Sequence, residues 1–109
     1  MDSLTAKRCV PCEIGSPPIP KKQAEQLLKQ VPGWELMENK IERSFKFADF
    51  KQAIRFVNSV ADVAEDEGHH PDINIVYNKV KLTLFTHTAK GLTENDFILA
   101  AKINILNPQ

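Results

Sequence analysis

The chain has 109 residues, with 14 Lys plus Arg balanced by 14 Asp plus Glu, which fits one domain whose modest core would gain from self-association. The charges are mixed along the chain, so no basic face marks a nucleic-acid binder. No apolar run nears the roughly 20 residues needed to span a bilayer, and the N-terminus lacks the apolar stretch of a secretory signal. A cytoplasmic protein is therefore expected, with no membrane partner and no direct nucleic-acid partner.

Residues 1–19 carry Pro11, Pro17 and Pro18 with no sustained period, and Pro20 follows; they read as an irregular N-terminal arm ahead of a domain over residues 20–109. The only cysteines, Cys9 and Cys12, form one CxxC in this arm. Zinc would need two further ligands, and a redox pair normally follows a strand and opens a helix. Two ordinary thiols in a tail fit the context better.

Ala24, Leu27, Leu28 and Val31 recur at i, i+3, i+4 and i+7, which predicts a short amphipathic helix begun by Pro20 and ended by Pro32-Gly33. Trp34 to Met37, a turn at Glu38-Asn39-Lys40 and Ile41 to Phe47 predict a hairpin. Ile41, Arg43, Phe45 and Phe47 share one face of its second strand, with Arg43 interrupting the apolar row. Asp49 is a good helix N-cap, and Phe50, Ala53, Ile54, Val57, Val60, Ala61 and Ala64 form a stripe at helical spacing. Gly68 and Pro71 should end that long helix.

Ile73, Ile75 and Tyr77, a turn at Asn78-Lys79, then Val80, Leu82 and Leu84 predict a second hairpin. Thr93 and Asp96 have the spacing of a capping box ahead of a last helix presenting Phe97, Ala100, Ala101 and Ile103. The order helix, hairpin, long helix, hairpin, helix predicts an α+β fold, a four-stranded antiparallel sheet with three helices packed on one face.

All three histidines fall in one half of the chain, His69 and His70 after the long helix and His87 after the second hairpin. An antiparallel hairpin leaves near where it entered, so the three rings can meet at one rim. Imidazoles there suit proton transfer at neutral pH. The helix C-terminus and Glu65, one turn earlier, favour a charged ring on His69, suiting it to act as an acid. Asp96 can orient an imidazole, bond an amidine-like ligand edge, or simply cap its helix. Two other readings stand beside this one: three histidine ligands to a metal, as in zinc hydrolases, although HExxH and HxH spacings are absent, and histidines that merely cap and hydrogen-bond.

Glu65-Asp66-Glu67-Gly68-His69-His70-Pro71, Val76-Tyr77-Asn78-Lys79-Val80, Thr86-His87, Gly91-Leu92-Thr93 and Asp96 together resemble the signature of the pterin-4a-carbinolamine dehydratase family. The wider pattern follows that family from about Ala24 to Ile105. The resemblance implies the same α+β fold, assembly as a homodimer or homotetramer, and a hydro-lyase that converts 4a-hydroxytetrahydropterins to quinonoid dihydropterins. That reaction recycles the pterin of aromatic amino acid hydroxylases and needs no metal and no cofactor.

Carried over by position, His69 and His87 would be general acids, and His70 would bind the pterin and assist deprotonation. Glu65, Gly68, Thr86, Thr88 and Asp96 would line or support the substrate. Gly68 stands where some relatives have Asp, and Phe85 replaces a small polar residue. The arm with Cys9 and Cys12 lies outside the resemblance. Since animal relatives also serve as dimerisation cofactors for a homeodomain transcription factor, a non-catalytic dimerisation or binding module is the alternative function.

Overall fold

The computed structural model describes residues 4–10 and 17–106. After a short 3-10 helix at Leu4–Ala6 come α1 (Lys21–Leu28), β1 (Glu35–Met37), β2 (Lys40–Lys46), α2 (Phe50–Glu67), β3 (Asp72–Val76), β4 (Lys79–Leu84), a second 3-10 helix at His87–Ala89 and α3 (Glu94–Leu106). The strands form one antiparallel sheet in the order β1-β2-β4-β3, the expected architecture.

Register explains the core. β2 and β4 pair so that Ile41 faces Leu84, Arg43 faces Leu82 and Phe45 faces Val80; because side chains alternate across a strand, these all lie on one face. Ala53, Phe56, Val60 and Ala64 of α2 and Phe97, Leu99, Ala100 and Ile103 of α3 are buried against it. The α2 stripe is rotated from the expected one: Phe56 stacks on Phe45 at 4.7 Å and Phe47 at 5.0 Å, while Phe50 and Ala61 are exposed. Arg43 does not break the core face. Its guanidinium lies 4.6 Å over the Phe45 ring and donates to Asn104 Oδ1 at 2.6 Å, where Trp34 Nε1 also donates at 2.8 Å.

Element ends shift slightly. α1 stops at Leu28, and Val31 is buried from a following turn. Both hairpin turns hold two residues, Glu38-Asn39 and Tyr77-Asn78, so Lys40 and Lys79 already pair within strands. Tyr77 is in the turn, with φ +52°. The edge strand β3 is exposed along its whole length.

α2 begins and ends as expected, and its end aims the site. The Asp49 carboxylate accepts Gln52 N–H at 2.8 Å. Gly68 adopts φ +67°, its N–H donates to Glu65 C=O, and His69 N–H donates to Ala64 C=O. This 5→2 and 6→1 pair turns the chain sharply off the helix axis.

Candidate active site

Turned off α2 by Gly68, His69 points at the first turn of α3. Its Nε2 lies 2.6 Å from Asp96 Oδ1. Asp96 has no solvent exposure, and its other oxygen accepts Thr86 Oγ1 at 2.8 Å and Thr93 N–H at 2.9 Å. A carboxylate only accepts, so Nε2 carries a hydrogen and Nδ1 is left to exchange protons. Thr86 gives its single hydroxyl hydrogen to Asp96, so Thr93 is the donor in the 2.9 Å contact between the two threonine hydroxyls. Asp96 therefore caps α3, by reaching back to Thr93 N–H, and also orients His69.

One sequence expectation needs correction. Glu65 does not sit against His69; its carboxylate lies 2.9 Å from His70 Nε2, and both side chains are largely exposed. The i, i+4 neighbourhood that would join Glu65 to residue 69 holds only while the helix continues, and Gly68 ends it. The two adjacent histidines diverge accordingly: the His69 side chain is 13% exposed, that of His70 58%.

His87 comes to the same place from the other side. It opens the 3-10 turn after β4, held by the bridge between Thr86 and Gly91, and its ring meets Phe85 edge-on at 4.9 Å. His69, His70, His87, Gly68, Thr86 and Thr88 thus line one cavity of about 390 Å³, together with Phe85, Asn95 and Val10, a size typical of small-molecule sites. Glu65 and Asp96 do not line it; each contacts one of its histidines, Glu65 meeting His70 and Asp96 meeting His69. Among the described residues no three His, Cys, Asp or Glu side chains are grouped closely enough to hold a metal ion. A larger hollow of about 510 Å³ on the open sheet face, lined by Lys46, Asn74, Lys79 and Lys81 among others, contains no histidine or carboxylate for this chemistry.

Sequence reasoning paired Thr93 with Asp96 but missed the link from the Thr93 hydroxyl to Thr86, and also Val10 and Asn95. Asn95 Oδ1 accepts Val10 N–H at 3.0 Å and its Nδ2 donates to Val10 C=O at 2.6 Å. Glu67 takes Cys9 N–H at 2.8 Å and Lys102 Nζ at 2.7 Å. Burial alone would push the Glu67 carboxyl up, but the hydrogen bonds from Lys102 and Cys9, with the charges of Lys102 and Arg8, outweigh it and hold the group below its ordinary value. Burial first, and then the Glu67 charge, push the Cys9 thiol up to about 12. Cys12, the other half of the CxxC, lies outside the described residues. No helix among those residues is long and apolar enough to cross a membrane.

Residues 17–106 match the family described as pterin 4 alpha carbinolamine dehydratase. Over 107 residues the chain is 46% identical to a protein of Rubrobacter xylanophilus named for an inferred pterin-4-alpha-carbinolamine dehydratase activity, covering 97% of this chain and 100% of that one. A similarly named protein of Nitrosomonas eutropha is 48% identical over 104 residues, 94% of this chain and 92% of the relative. Among solved structures, a transcriptional coactivator/pterin dehydratase from Brucella melitensis superposes with a TM-score of 0.78 at 36% identity, covering 82% of this chain and 97% of that one.

Proposed function

The chain belongs to the pterin 4 alpha carbinolamine dehydratase family, and from that premise we propose that it dehydrates 4a-hydroxytetrahydropterins to quinonoid dihydropterins, its histidines moving the protons. We assign the activity to residues 20–109. The observation that carries this reading is the cavity lined by His69, His70 and His87, with His69 anchored on the fully buried Asp96.

The reaction is an elimination. The 4a hydroxyl takes a proton and leaves as water as the C4a–O bond breaks; the N5 hydrogen departs as a proton, and its bonding pair completes the C=N bond. No net oxidation occurs. His69 suits the acid role because its Nδ1 can release a proton while Nε2 keeps its bond to Asp96, so the ring need not turn. His87 is the second acid, and His70, steadied by Glu65, holds the pterin and receives the N5 proton. General acid-base help of this kind is worth about 10²- to 10⁴-fold. The product, once reduced to the tetrahydropterin by a separate two-electron donor, would be reused by an aromatic amino acid hydroxylase.

The exposed β3 edge, carrying Ile73, Ile75 and Val76, supports self-association as a homodimer or homotetramer, since unpaired apolar edge strands invite pairing. It also favours a second reading, a dimerisation or binding module for a protein partner, in line with the coactivator named in the Brucella melitensis structure. Adding purified protein to 4a-hydroxytetrahydropterin and following ultraviolet absorbance separates the two. Dehydration well above the buffer rate supports the enzyme; a rate equal to buffer leaves the binding module.

A further inference from the structure

The hydrogen bonds of the arm at the cavity rim go beyond what the chemistry requires. Two polar side chains on separate helices, both buried, each bond the backbone of one dipeptide, Cys9-Val10. Glu67, at the end of α2, has a side chain 1% exposed and accepts Cys9 N–H. Asn95, in the first turn of α3, meets both backbone groups of Val10, as a neighbouring strand would. Arg8 adds bonds to the Asp66 carboxylate and carbonyl, and Lys7 pairs with Glu94 at 3.0 Å. Burying a carboxylate and an amide is costly unless they are paired, so the arm is held in one place.

What it holds is exposed. Val10 is 64% accessible to solvent, so the clamps do not serve to bury its side chain. They keep an apolar residue at the wall of the histidine cavity, where Phe85 is the other apolar residue among otherwise small or polar lining groups. A flat ring with a variable substituent would need such a surface.

We propose that Val10 is a substrate-contacting wall of this cavity that sets which substituent is accepted on the pterin ring, with Asn95 and Glu67 as the positioning residues that hold it. The proposal rests on the pterin reading above. It makes Val10 of the arm part of the site, although Val10 lies outside the matched residues 17–106.

The test is equilibrium binding, by ring fluorescence, of two oxidised pterins to the full chain, one with hydrogen and one with a dihydroxypropyl chain at carbon 6, alongside the dehydration rate. Val10→Ala removes two methyl groups and should change the ratio of the two dissociation constants by at least roughly 10-fold, the low end of what even one methylene is worth in an apolar pocket. Glu67→Ala, at a positioning residue that does not line the cavity, should move the ratio in the same direction, whereas a merely structural loss would weaken both probes in equal proportion.

A second measurement reads arm docking directly. In a Cys12→Ser background the Cys9 thiol, half-buried and held protonated, should resist a disulfide reagent at about pH 8, and Asn95→Ala should make it react. If wild type binds and dehydrates but Val10→Ala leaves the ratio unchanged, the wall is refuted and the dehydratase stands. If the ratio depends on Val10 but no dehydration occurs, the wall stands and the dehydratase falls. Wild type binding neither probe overturns both.

Discussion

Replacing Asp96 by asparagine keeps the shape of the side chain and removes one acceptor. The amide oxygen can still accept the two donors that now meet Oδ2, Thr86 Oγ1 at 2.8 Å and Thr93 N–H at 2.9 Å. The amide NH₂ must then face His69 Nε2, which can bond it only by giving up its hydrogen and moving it to Nδ1. One charge-assisted hydrogen bond at a fully buried position is lost, about 1.5 to 3 kcal/mol. At about 5 °C per kcal/mol for a domain near this size, Tm should fall by roughly 8 to 15 °C. The protein still folds, but His69 is fixed in the wrong tautomer, so kcat should drop by about 10²- to 10⁴-fold. Thermal unfolding by circular dichroism and initial dehydration rates on the same preparation measure both. An Asp96→Asn protein with kcat within about twofold of wild type, too small a change for a lost general acid, would refute the claim that Asp96 sets the protonation of His69. Asp96→Ala, which strands three donors instead of rearranging one, should lose distinctly more stability.

Three further outcomes follow from the packing. Gly68→Ala meets no atom within 4 Å of the added carbon, so its whole effect is left-handed backbone strain, about 1 to 2 kcal/mol; Gly68→Asn should lose less, and urea midpoints would rank the three. Phe97→Ala, at a fully buried core position, should destabilise by about 3 to 5 kcal/mol in the same titration. Glu67 titrates below its ordinary value when folded, so its contribution to stability is complete above the ordinary carboxylate pKa of about 4.3 and is lost as pH falls through the lower folded value. The Tm of wild type should therefore decline across that acid range, while Glu67→Gln starts lower near neutrality and declines less.

The parts of the fold that were legible in the sequence rest on local signals. α2 is marked at both ends, by the Asp49 side chain on Gln52 N–H and by Gly68 in the left-handed region, and strands β2 and β4 alternate as half-buried strands must. β3 was legible as a strand, but its boundary was not: exposed on both faces, it offers no contrast to separate Tyr77 in the turn from Val76 in the strand. Only part of α3 showed a stripe, because Asn95 through Ala101 are all buried, and a helix enclosed on every side loses its apolar period.

In the site, the grouping of His69, His70 and His87 was readable from hairpin geometry, and the spacing of Thr93 and Asp96 pointed to a cap. The pairing of Glu65 with His70 was not readable, since it follows from the turn at Gly68 and not from helix spacing. Nor were the Glu67 and Asn95 contacts with Cys9 and Val10, which join residues 58 and 85 positions apart and leave no periodic trace.

The central claim, that the three histidines carry a pterin dehydration, is tested most directly by the initial rate of 4a-hydroxytetrahydropterin dehydration with wild type, His69→Ala, His70→Ala, His87→Ala and the triple variant. The expected result is that His69→Ala and His87→Ala each lose about 10²- to 10⁴-fold in the catalysed rate and that the triple variant approaches the buffer rate; a triple variant as fast as wild type would contradict it.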